Sequence, residues 1–592
     1  MRVLSSLVYV VLTGLAIVSL QRAADAADAE KSDAKTKKVT LASIAVINDY
    51  PEGLAPEGLF GEAKSHLREL VDRLDKAAKD DKIVGVVLRL REPDIGLAKV
   101  GELRAAVARV RKTGKKVFAD VHSASTRDYL VASACDQIIM PESGSLMVTG
   151  LQAQVLFYKG LLDKLGIQAD FIQIGDFKGA AEPMTRNTMS PEFRAQYESV
   201  INDYYEFIVQ SIAEDRKLDP AKVKSLIDTG LFTAEQARDA HLIDRVAYED
   251  QWRDELKKDL GADEVAITRD YGKKKRDDDL SGMAGLMKIM ELLMGGEQKA
   301  ANSKYNKVAL IYIVGTIMTG ESTTSFLGGE TVGSDTIIKA LREVENDAKV
   351  KAIVLRVDSP GGSALASDLI WREVVLTKKP LLVSMGDVAA SGGYYVSMGA
   401  KKIFVEPGTL TGSIGVVGGK LALRGLFDKI GVNSEVISRG KTSGTLSFTD
   451  PFTTDEREAW KRMMKGTYEQ FTSKAAAGRK MDVKKLEGLA QGRVFTGRMA
   501  VANGLADQLG TLDDAIAEAK NLAGFKADEK VELLILPKPK GILEQLLGGS
   551  SVEAEARAVA PELLEAMKAG ATLRKLFAEP AVTVMPYSVR FK

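Results

Sequence analysis

The sequence predicts an α/β protein made of two tandem repeats, each with a mainly parallel sheet flanked by helices. Apolar runs of strand length alternate with stretches of helical periodicity, an order typical of parallel sheets covered by helices. A series of segments recurs in the second half at an offset that stays between 263 and 267 residues. The length of 592 residues and the apolar content of 45% are sufficient for large buried cores.

The first repeat opens with a predicted strand at Ser43–Ile47 and a helix at His66–Ala78. The continuous apolar run Ile83–Leu90 is typical of a strand buried on both faces. A helix at Val100–Arg111 and a strand at Lys116–Ala119 follow. Strands that alternate with helices in this way predict a parallel arrangement.

The second repeat is recognised by segments that match the first. Val86–Leu90 recurs as Ile353–Val357, and the segment that begins at Ala124-Ser125 recurs from Ala390-Ser391. A nearly constant offset over many elements indicates a duplicated domain. The predicted organisation is a signal peptide or membrane anchor at 1–26, a spacer at 27–39, a first repeat at 40–268, a linker with the Met-rich segment Ser281–Met294 at 269–305, a second repeat at 306–524, and a C-terminal extension at 525–592 with a strand at Val531–Leu536 and a helix near Glu553–Ala569.

Composition excludes several functional classes. The net charge of +1 provides no overall attraction to nucleic acid. A single cysteine, Cys135, excludes an intrachain disulfide framework and the usual zinc clusters. Three histidines without HExxH spacing argue against a metal enzyme, so we expect neither a metal nor a cofactor.

The N-terminus has the pattern of a targeting segment. Arg2 precedes the uncharged run Val3–Leu20, and Ala24-Asp25-Ala26 fits a cleavage site. The run suits either a cleaved signal peptide or an uncleaved membrane anchor. Both alternatives predict that the rest of the chain is exported.

A candidate nucleophile lies in the second repeat, where the predicted strand Leu381–Met385 leads into Ser391-Gly392-Gly393. A second glycine-rich turn follows at Leu410–Gly415. A serine at a strand-to-helix turn presents its hydroxyl at the end of the sheet, beside the outward-pointing N–H groups of the helix. This layout suits a nucleophile with an oxyanion site next to it.

The two repeats differ at the positions that such chemistry needs. The second repeat has Asp358-Ser359-Pro360-Gly361-Gly362 after its central strand, whereas the first has Arg91-Glu92-Pro93-Asp94. The first repeat also has Ser125-Thr126-Arg127 in place of Ser391-Gly392-Gly393. We therefore interpret Ser125 as a vestige and Ser391 as the candidate nucleophile.

The candidate base is a lysine. All three histidines (His66, His122 and His241) lie in the first repeat, and each is expected to be structural. Lys178 follows the predicted strand Phe171–Ile174 in a setting of small residues, where burial would lower its pKa enough for base catalysis. The matching loop of the second repeat carries Lys441, which falls two positions before the residue that aligns with Lys178, Ser443. Lys178 is therefore the preferred base and Lys441 the alternative.

At these motifs the chain resembles the signal peptide peptidase A family in its long, two-repeat form. The resemblance covers nearly the whole chain and implies a Clp/crotonase-like fold for each repeat. It implies that Ser391 is the nucleophile and Lys178 the general base of a serine–lysine dyad. It further implies that Gly392, with Gly361 or Gly362, forms the oxyanion hole and that Ser413 orients the lysine.

The implied activity is that of a membrane-associated serine endopeptidase that degrades hydrophobic peptides such as cleaved signal peptides. The implied partners are the peptide substrate, a membrane bound through the N-terminus, and further copies of the chain, with a tetramer favoured. The implied location is the inner membrane, with the catalytic domains on its periplasmic side. No nucleic acid or cofactor is expected.

Two alternatives belong to other functional classes. A crotonase-type acyl-CoA enzyme would share the glycine-pair oxyanion hole, but it predicts a cytoplasmic chain with no need for Ser391. A non-catalytic membrane scaffold or chaperone predicts that both repeats have decayed equally. The export signal and the intact turn at Ser391 favour the peptidase.

Overall fold

The computed structural model describes residues 37–53, 65–273, 305–325, 329–526, 529–538 and 582–584. It confirms the predicted fold class, because each repeat contains a mainly parallel sheet flanked by helices. The N-terminal segment 1–26, the Met-rich segment Ser281–Met294 and the helix near Glu553–Ala569 lie outside the described residues.

The first repeat is built on an all-parallel sheet whose strands are ordered β10-β1-β2-β3-β5-β9, and β4, β6 and β8 form a small separate sheet. The strands are β1 (Lys38–Asp49), β2 (Gly85–Asp94), β3 (Lys116–Val121), β4 (Ser123–Ser125), β5 (Gln137–Met140), β6 (Ser145–Met147), β7 (Gln168–Ile174), β8 (Leu231–Thr233), β9 (Arg245–Val246) and β10 (Glu264–Thr268).

The second repeat has an equivalent sheet in the order β21-β19-β17-β15-β11-β23; β18 also pairs with β17, and β22 pairs with β18. Its strands are β11 (Lys307–Val314), β12 (Thr316–Met318), β13 (Thr323–Ser325), β14 (Gly329–Gly333), β15 (Val350–Ser359), β16 (Gly361–Ser363), β17 (Leu381–Ala390), β18 (Lys402–Val405), β19 (Leu410–Gly412), β20 (Val416–Ala422), β21 (Val494–Thr496), β22 (Gln508–Leu509), β23 (Glu532–Leu536) and β24 (Val582–Val584). Because β23 pairs with β11 as β10 pairs with β1, it is the counterpart of β10.

The helices cover the sheets and connect their parallel strands. Those of the first repeat are α1 (Leu67–Lys79), α2 (Leu97–Lys112), α3 (Thr126–Ser133), α4 (Lys159–Leu165), α5 (Glu182–Thr185), α6 (Pro191–Arg216), α7 (Pro220–Thr229), α8 (Ala234–Asp239) and α9 (Glu249–Asp259). Those of the second are α10 (Ser334–Asn346), α11 (Ala364–Leu376), α12 (Gly392–Ser397), α13 (Arg424–Ile430), α14 (Thr454–Gly478), α15 (Val483–Leu489), α16 (Gly497–Asn503) and α17 (Leu512–Leu522). A 3₁₀ turn at Gly179–Ala181 precedes α5.

An antiparallel ribbon of one strand from each repeat connects the two halves. β7 of the first repeat pairs with β20 of the second from Gln168 opposite Ala422 to Ile174 opposite Val416. In an antiparallel pair the end of one strand lies beside the start of the other. The loop after β7 therefore meets the loop before β20, and these loops carry Lys178 and Ser413.

The repeats also share buried residues. Ala390, Leu410 and Val494 of the second repeat pack in the apolar core of the first, and Ile172 of the first packs in the core of the second. The repeats are thus joined by packing as well as by the β7–β20 ribbon.

Candidate active site

Ser391 lies at a strained turn between β17 and α12. Its backbone has φ 57° and ψ −113°, a conformation that a residue with a side chain adopts only when the surrounding structure enforces it. The Ser391 N–H donates to the carbonyl oxygen of Gly412 at 2.7 Å, which ties the turn to β19. The side chain is fully buried and makes no capping hydrogen bond to α12.

Lys178 reaches this hydroxyl from the first repeat. Its Nζ atom lies 2.7 Å from Ser391 Oγ, although 213 residues separate the two in the chain. The same Nζ lies 2.8 Å from the carbonyl oxygen and 2.9 Å from the Oγ of Ser413. All three side chains are completely buried. The amine is thus placed between the predicted nucleophile and the predicted orienting serine.

Burial lowers the pKa of the Lys178 amine well below its ordinary value, and no neighbouring charge contributes to this shift. Desolvation disfavours the ammonium form, and within the described residues no carboxylate opposes this effect. A lysine in this state accepts a proton more readily than a solvated one, which is the requirement for a general base.

The glycines predicted as oxyanion donors lie on two elements in contact. Gly392 is the first residue of α12, and Gly361 and Gly362 belong to β16. A Cβ on Gly362 would lie 1.9 Å from the Ile317 carbonyl oxygen, and one on Gly393 would lie 2.6 Å from that of Ser359. Because these two glycines lack side chains, the backbone of β16 can lie close to β12, and the backbone of α12 can lie close to the end of β15. The Gly361 N–H donates to Ser359 Oγ at 3.1 Å.

The equivalent serine of the first repeat has a different environment. Ser125 has an ordinary φ of −80°, and it caps α3 through a reciprocal pair of hydrogen bonds with Asp128. Its Oγ donates to Asp128 Oδ2 at 2.7 Å. The hydroxyl that a nucleophile would need is thus committed to a helix cap.

The alternative base and the histidines lie elsewhere. Lys441 has an 86% exposed side chain, 3.9 Å from Asp455. His66 caps α1, His122 contacts Arg91 at an exposed position, and His241 is exposed after α8. The structure thus brings Lys178, and neither Lys441 nor a histidine, to Ser391.

The model of peptidase family S49 matches residues 109–263 and 374–526, one stretch in each repeat and together more than half of the chain. The chain belongs to peptidase family S49. The resemblance to signal peptide peptidase A predicted from the motifs is thereby confirmed, and the family and its relatives' names support a serine peptidase.

Several relatives of this S49 peptidase match along most of its length. The chain is 35% identical to "Serine protease SPPA, chloroplastic" of Arabidopsis thaliana over 82% of this chain and 69% of the relative. It is 31% identical to "Protease 4" of Salmonella typhi over 88% of this chain and 83% of the relative. Among solved structures, it matches a point mutant of ClpP1 from Listeria monocytogenes with 15% identity and a TM-score of 0.23, over 35% of this chain and 94% of that one.

A strand of the S49 peptidase's own C-terminal segment lies in the groove next to the site. β24 pairs antiparallel with β16, so that Thr583 is opposite Gly362, and also with β20, so that Val582 is opposite Val417. The sheet order is β12-β16-β24-β20-β7. The gap between the strand with the glycine pair and the strand that follows Ser413 therefore accommodates one extended peptide.

Neither a metal site nor a membrane-spanning helix is found in the ranges that the structure describes. In those ranges, His, Cys, Asp and Glu side chains form no group of three that could hold a metal ion. No described helix combines the length and apolar character needed to cross a bilayer.

The sequence analysis did not predict two features that support Lys178, the segment Gln491–Val494 and the side chain of Gln196. Gln491–Val494 contact its loop, and Gln196 of α6 binds Val494. No sequence signal marks Gln196, because a polar residue within a long helix is most often solvated. It is only 5% exposed here.

Proposed function

We propose that the chain is a serine endopeptidase that uses Ser391 and Lys178 to hydrolyse hydrophobic peptides, such as signal peptides cleaved during export. The observation that carries the proposal is the 2.7 Å contact between Lys178 Nζ and Ser391 Oγ inside a fully buried site. Membership of a peptidase family favours this activity over an acyl-CoA enzyme or a scaffold.

In the proposed reaction, neutral Lys178 takes the proton of Ser391 while Oγ forms a bond to the carbonyl carbon of the peptide. The resulting oxyanion accepts hydrogen bonds from the N–H of Gly392 and from that of Gly361 or Gly362. The peptide C–N bond then breaks, and the lysine ammonium returns the proton to the leaving amine. Water hydrolyses the acyl-enzyme by the same proton transfer. Ser413 orients the lysine throughout.

The groove supports a peptide substrate of apolar character. An extended peptide in the place of β24 forms main-chain hydrogen bonds with β16 and β20, the strand-addition mode of peptide recognition. A small apolar cluster lines the flanking strands and the turn after Lys178; its members are Phe171, Ala180, Ala181, Met318 and Val417. Such surfaces favour apolar side chains over charged ones.

We further propose membrane attachment and export through residues 1–26, with the catalytic repeats on the outer side of the inner membrane, and self-assembly, a tetramer being favoured. The proposed attachment rests on the uncharged run Val3–Leu20. Self-assembly is supported by apolar side chains exposed on α4 and α13, among them Leu161, Leu165 and Ile430. Neither helix contains a buried residue.

Hydrolysis of an apolar fluorogenic peptide in detergent tests the proposed function. Wild type is expected to cleave the peptide internally, and Ser391→Ala is expected to fall to background because the nucleophile is lost. Ser125→Ala is the matched control, since it removes the corresponding hydroxyl of the first repeat, and it is expected to keep activity. Retained cleavage in folded Ser391→Ala would refute the assignment of the nucleophile, and an inert wild type on a broad peptide panel would refute the peptidase.

Removing β24 is expected to lower the KM for an added peptide severalfold and to leave kcat unchanged. The reason is that β24 pairs with both strands of the groove and so competes with the substrate. Steady-state kinetics of a variant that ends at Glu579 measure the effect. Thr583→Pro provides a second variant, because proline lacks the N–H that a strand donates to its neighbours. An unchanged KM in both variants would mean that β24 does not compete.

A further inference from the structure

A short segment of the second repeat, Gln491–Val494, contacts the loop that carries Lys178 and also contacts Ser413. The Gln491 carbonyl oxygen accepts from the N–H of Phe177 at 2.8 Å, next to Lys178. The Arg493 carbonyl oxygen accepts from the N–H of Ser413 at 2.6 Å. The segment is therefore bonded both to the loop of the lysine and to the serine that contacts its amine.

Gly492 lies directly against the backbone of Lys178. A Cβ at this position would lie 2.5 Å from the nitrogen and 2.6 Å from the Cα of Lys178. With φ of +83°, Gly492 also adopts a backbone conformation that L-residues with side chains avoid. Any shift of this segment is thus transmitted to Lys178, because no space separates the two backbones.

Gln196 of the first repeat fixes the end of this segment. Its Nε2 donates to the Val494 carbonyl oxygen at 2.6 Å, and its Oε1 accepts from the Val494 N–H at 3.0 Å. All of these atoms are buried. A side-chain amide can satisfy a backbone donor and acceptor together, and burial makes the loss of either bond costly.

The two hydrogen bonds of Gln196 satisfy the backbone N–H and the backbone carbonyl group of Val494. Val494 is opposite Gly412 in the antiparallel β19–β21 ladder, and the Gly412 carbonyl oxygen accepts from the N–H of Ser391. Gln196 thus fixes β21 to α6, and the neighbouring strand β19 is bonded to the turn of Ser391.

We infer that Gln196 is a positioning residue for the Ser391–Lys178 pair, acting through Gln491–Val494 across the boundary between the repeats. The inference rests on the proposed function, in which this pair performs the chemistry. Gln196 does not touch the substrate or the reacting atoms. By bonding to Val494, it sets the position at which Gln491–Val494 packs against the backbone of Lys178.

Losing the two hydrogen bonds between Gln196 and Val494 is expected to slow the chemical step. A misplacement of about 1 Å in a reacting group lowers rates on the order of 10²-fold. Gln196→Met has a similar length but leaves both Val494 groups unpaired, so kcat is expected to fall by about that factor. KM is expected to stay unchanged, because β16 and β20 are not altered. Gln196→Glu keeps the acceptor and loses the donor, so an intermediate loss is expected.

The pH profile separates positioning from general destabilisation. Lys178 owes its lowered pKa to burial, and a displaced segment would expose it to water. The acidic limb of the kcat/KM profile reports the deprotonation of the base, so it is expected to move to higher pH in Gln196→Met. Gln210→Met is the matched control, because Gln210 lies on the same helix and also contacts the second repeat, through Arg498. The control is expected to keep the profile of the wild type.

Competitive labelling of Lys178 with acetic anhydride, read by mass spectrometry against pH, measures the same pKa without requiring activity. The midpoint of labelling is expected to rise in Gln196→Met. An unmoved midpoint and pH limb in both Gln196 variants would overturn the inference, even if their melting temperature falls. An inert wild type with a shifted labelling midpoint would refute the proposed function and leave the positioning role supported.

Discussion

Replacing Lys178 with methionine is expected to abolish peptide hydrolysis while raising the free energy of unfolding at neutral pH. Activity is expected to fall on the order of 10⁴-fold, because no other base lies at Ser391 Oγ among the hydrogen bonds of the described residues. Stability is expected to rise because methionine fills a similar space without burying an amine. Removing a strained or desolvated group from an active site commonly raises the stability of the protein.

The sign of this stability effect follows from proton linkage. In the unfolded chain Lys178 titrates near its ordinary pKa of 10.5, whereas burial lowers its pKa in the folded protein. Between these two pKa values the unfolded state binds more protons, so wild-type stability rises with pH across that window. Below the folded-state pKa the lysine is charged in both the folded and the unfolded state, so the full cost of burying the ammonium lowers the free energy of unfolding. Lys178→Met lacks this contribution to the pH dependence.

Denaturant unfolding at a series of pH values, together with hydrolysis assays, measures both effects. Lys441→Met is the matched control, because it removes the exposed lysine of the corresponding loop in the second repeat. It is expected to change neither activity nor the pH dependence. Cleavage by Lys178→Met at the wild-type rate would show that another group is the base. A loss of stability at neutral pH would show that the buried amine is not destabilising.

Replacing Arg356 with methionine is expected to destabilise the docking of the two repeats by about 3–5 kcal/mol. Arg356 lies on β15, is completely buried, and contacts two carboxylates of the first repeat. Its Nη2 is 2.7 Å from Glu52 Oε1, and its Nη1 is 3.0 Å from Glu102 Oε1. Without the guanidinium, both acids remain buried without their partner.

The pKa values of the two acids show how strongly they depend on Arg356. Burial alone would raise the pKa of Glu52, but the charge and hydrogen bond of Arg356, together with the charges of Lys99 and His66, hold the pKa below its usual range. Burial raises the pKa of Glu102, and Arg356 opposes this only in part. Because the proposed dyad takes one residue from each repeat, Arg356→Met is also expected to lower peptidase activity.

The triple variant Arg356→Met, Glu52→Gln, Glu102→Gln distinguishes lost charge pairing from lost volume. Neutral side chains remove the unpaired charges, so most of the lost stability is expected to return. Denaturant midpoints of wild type, single and triple variants provide the measurement. Equal midpoints for wild type and the Arg356→Met variant would rule out a role of this pairing in docking. Equal midpoints for the single and triple variants would assign the loss to packing.

Many helices and strands of the fold can be predicted from local sequence patterns. The apolar run that became β2 and its repeat β15 marks strands buried on both faces, because such strands carry no alternating polar side. Ser190 and Pro191 form a local signal for the start of α6, since a serine N-cap followed by proline suits a helix terminus. The helix near Glu553–Ala569 stays a prediction outside the described residues.

The candidate site was predicted by comparing the repeats. Glycines at 361, 362, 392 and 393 distinguish the second repeat. At Gly362 and Gly393, close backbone packing requires residues without a side chain. Gln196 escaped this comparison because its role depends on one strand end in the other repeat, which no local pattern records.

The sequence by itself determined the α/β class, the duplication, and the candidate residues Ser391 and Lys178, because these depend on side-chain type and spacing along one stretch of chain. Only the tertiary structure decided that these two residues, 213 positions apart, meet at 2.7 Å. The register of the β7–β20 ribbon determines that meeting, since it places the end of one strand beside the start of the other. The low pKa of Lys178 likewise comes from burial between the repeats, which is a property of packing.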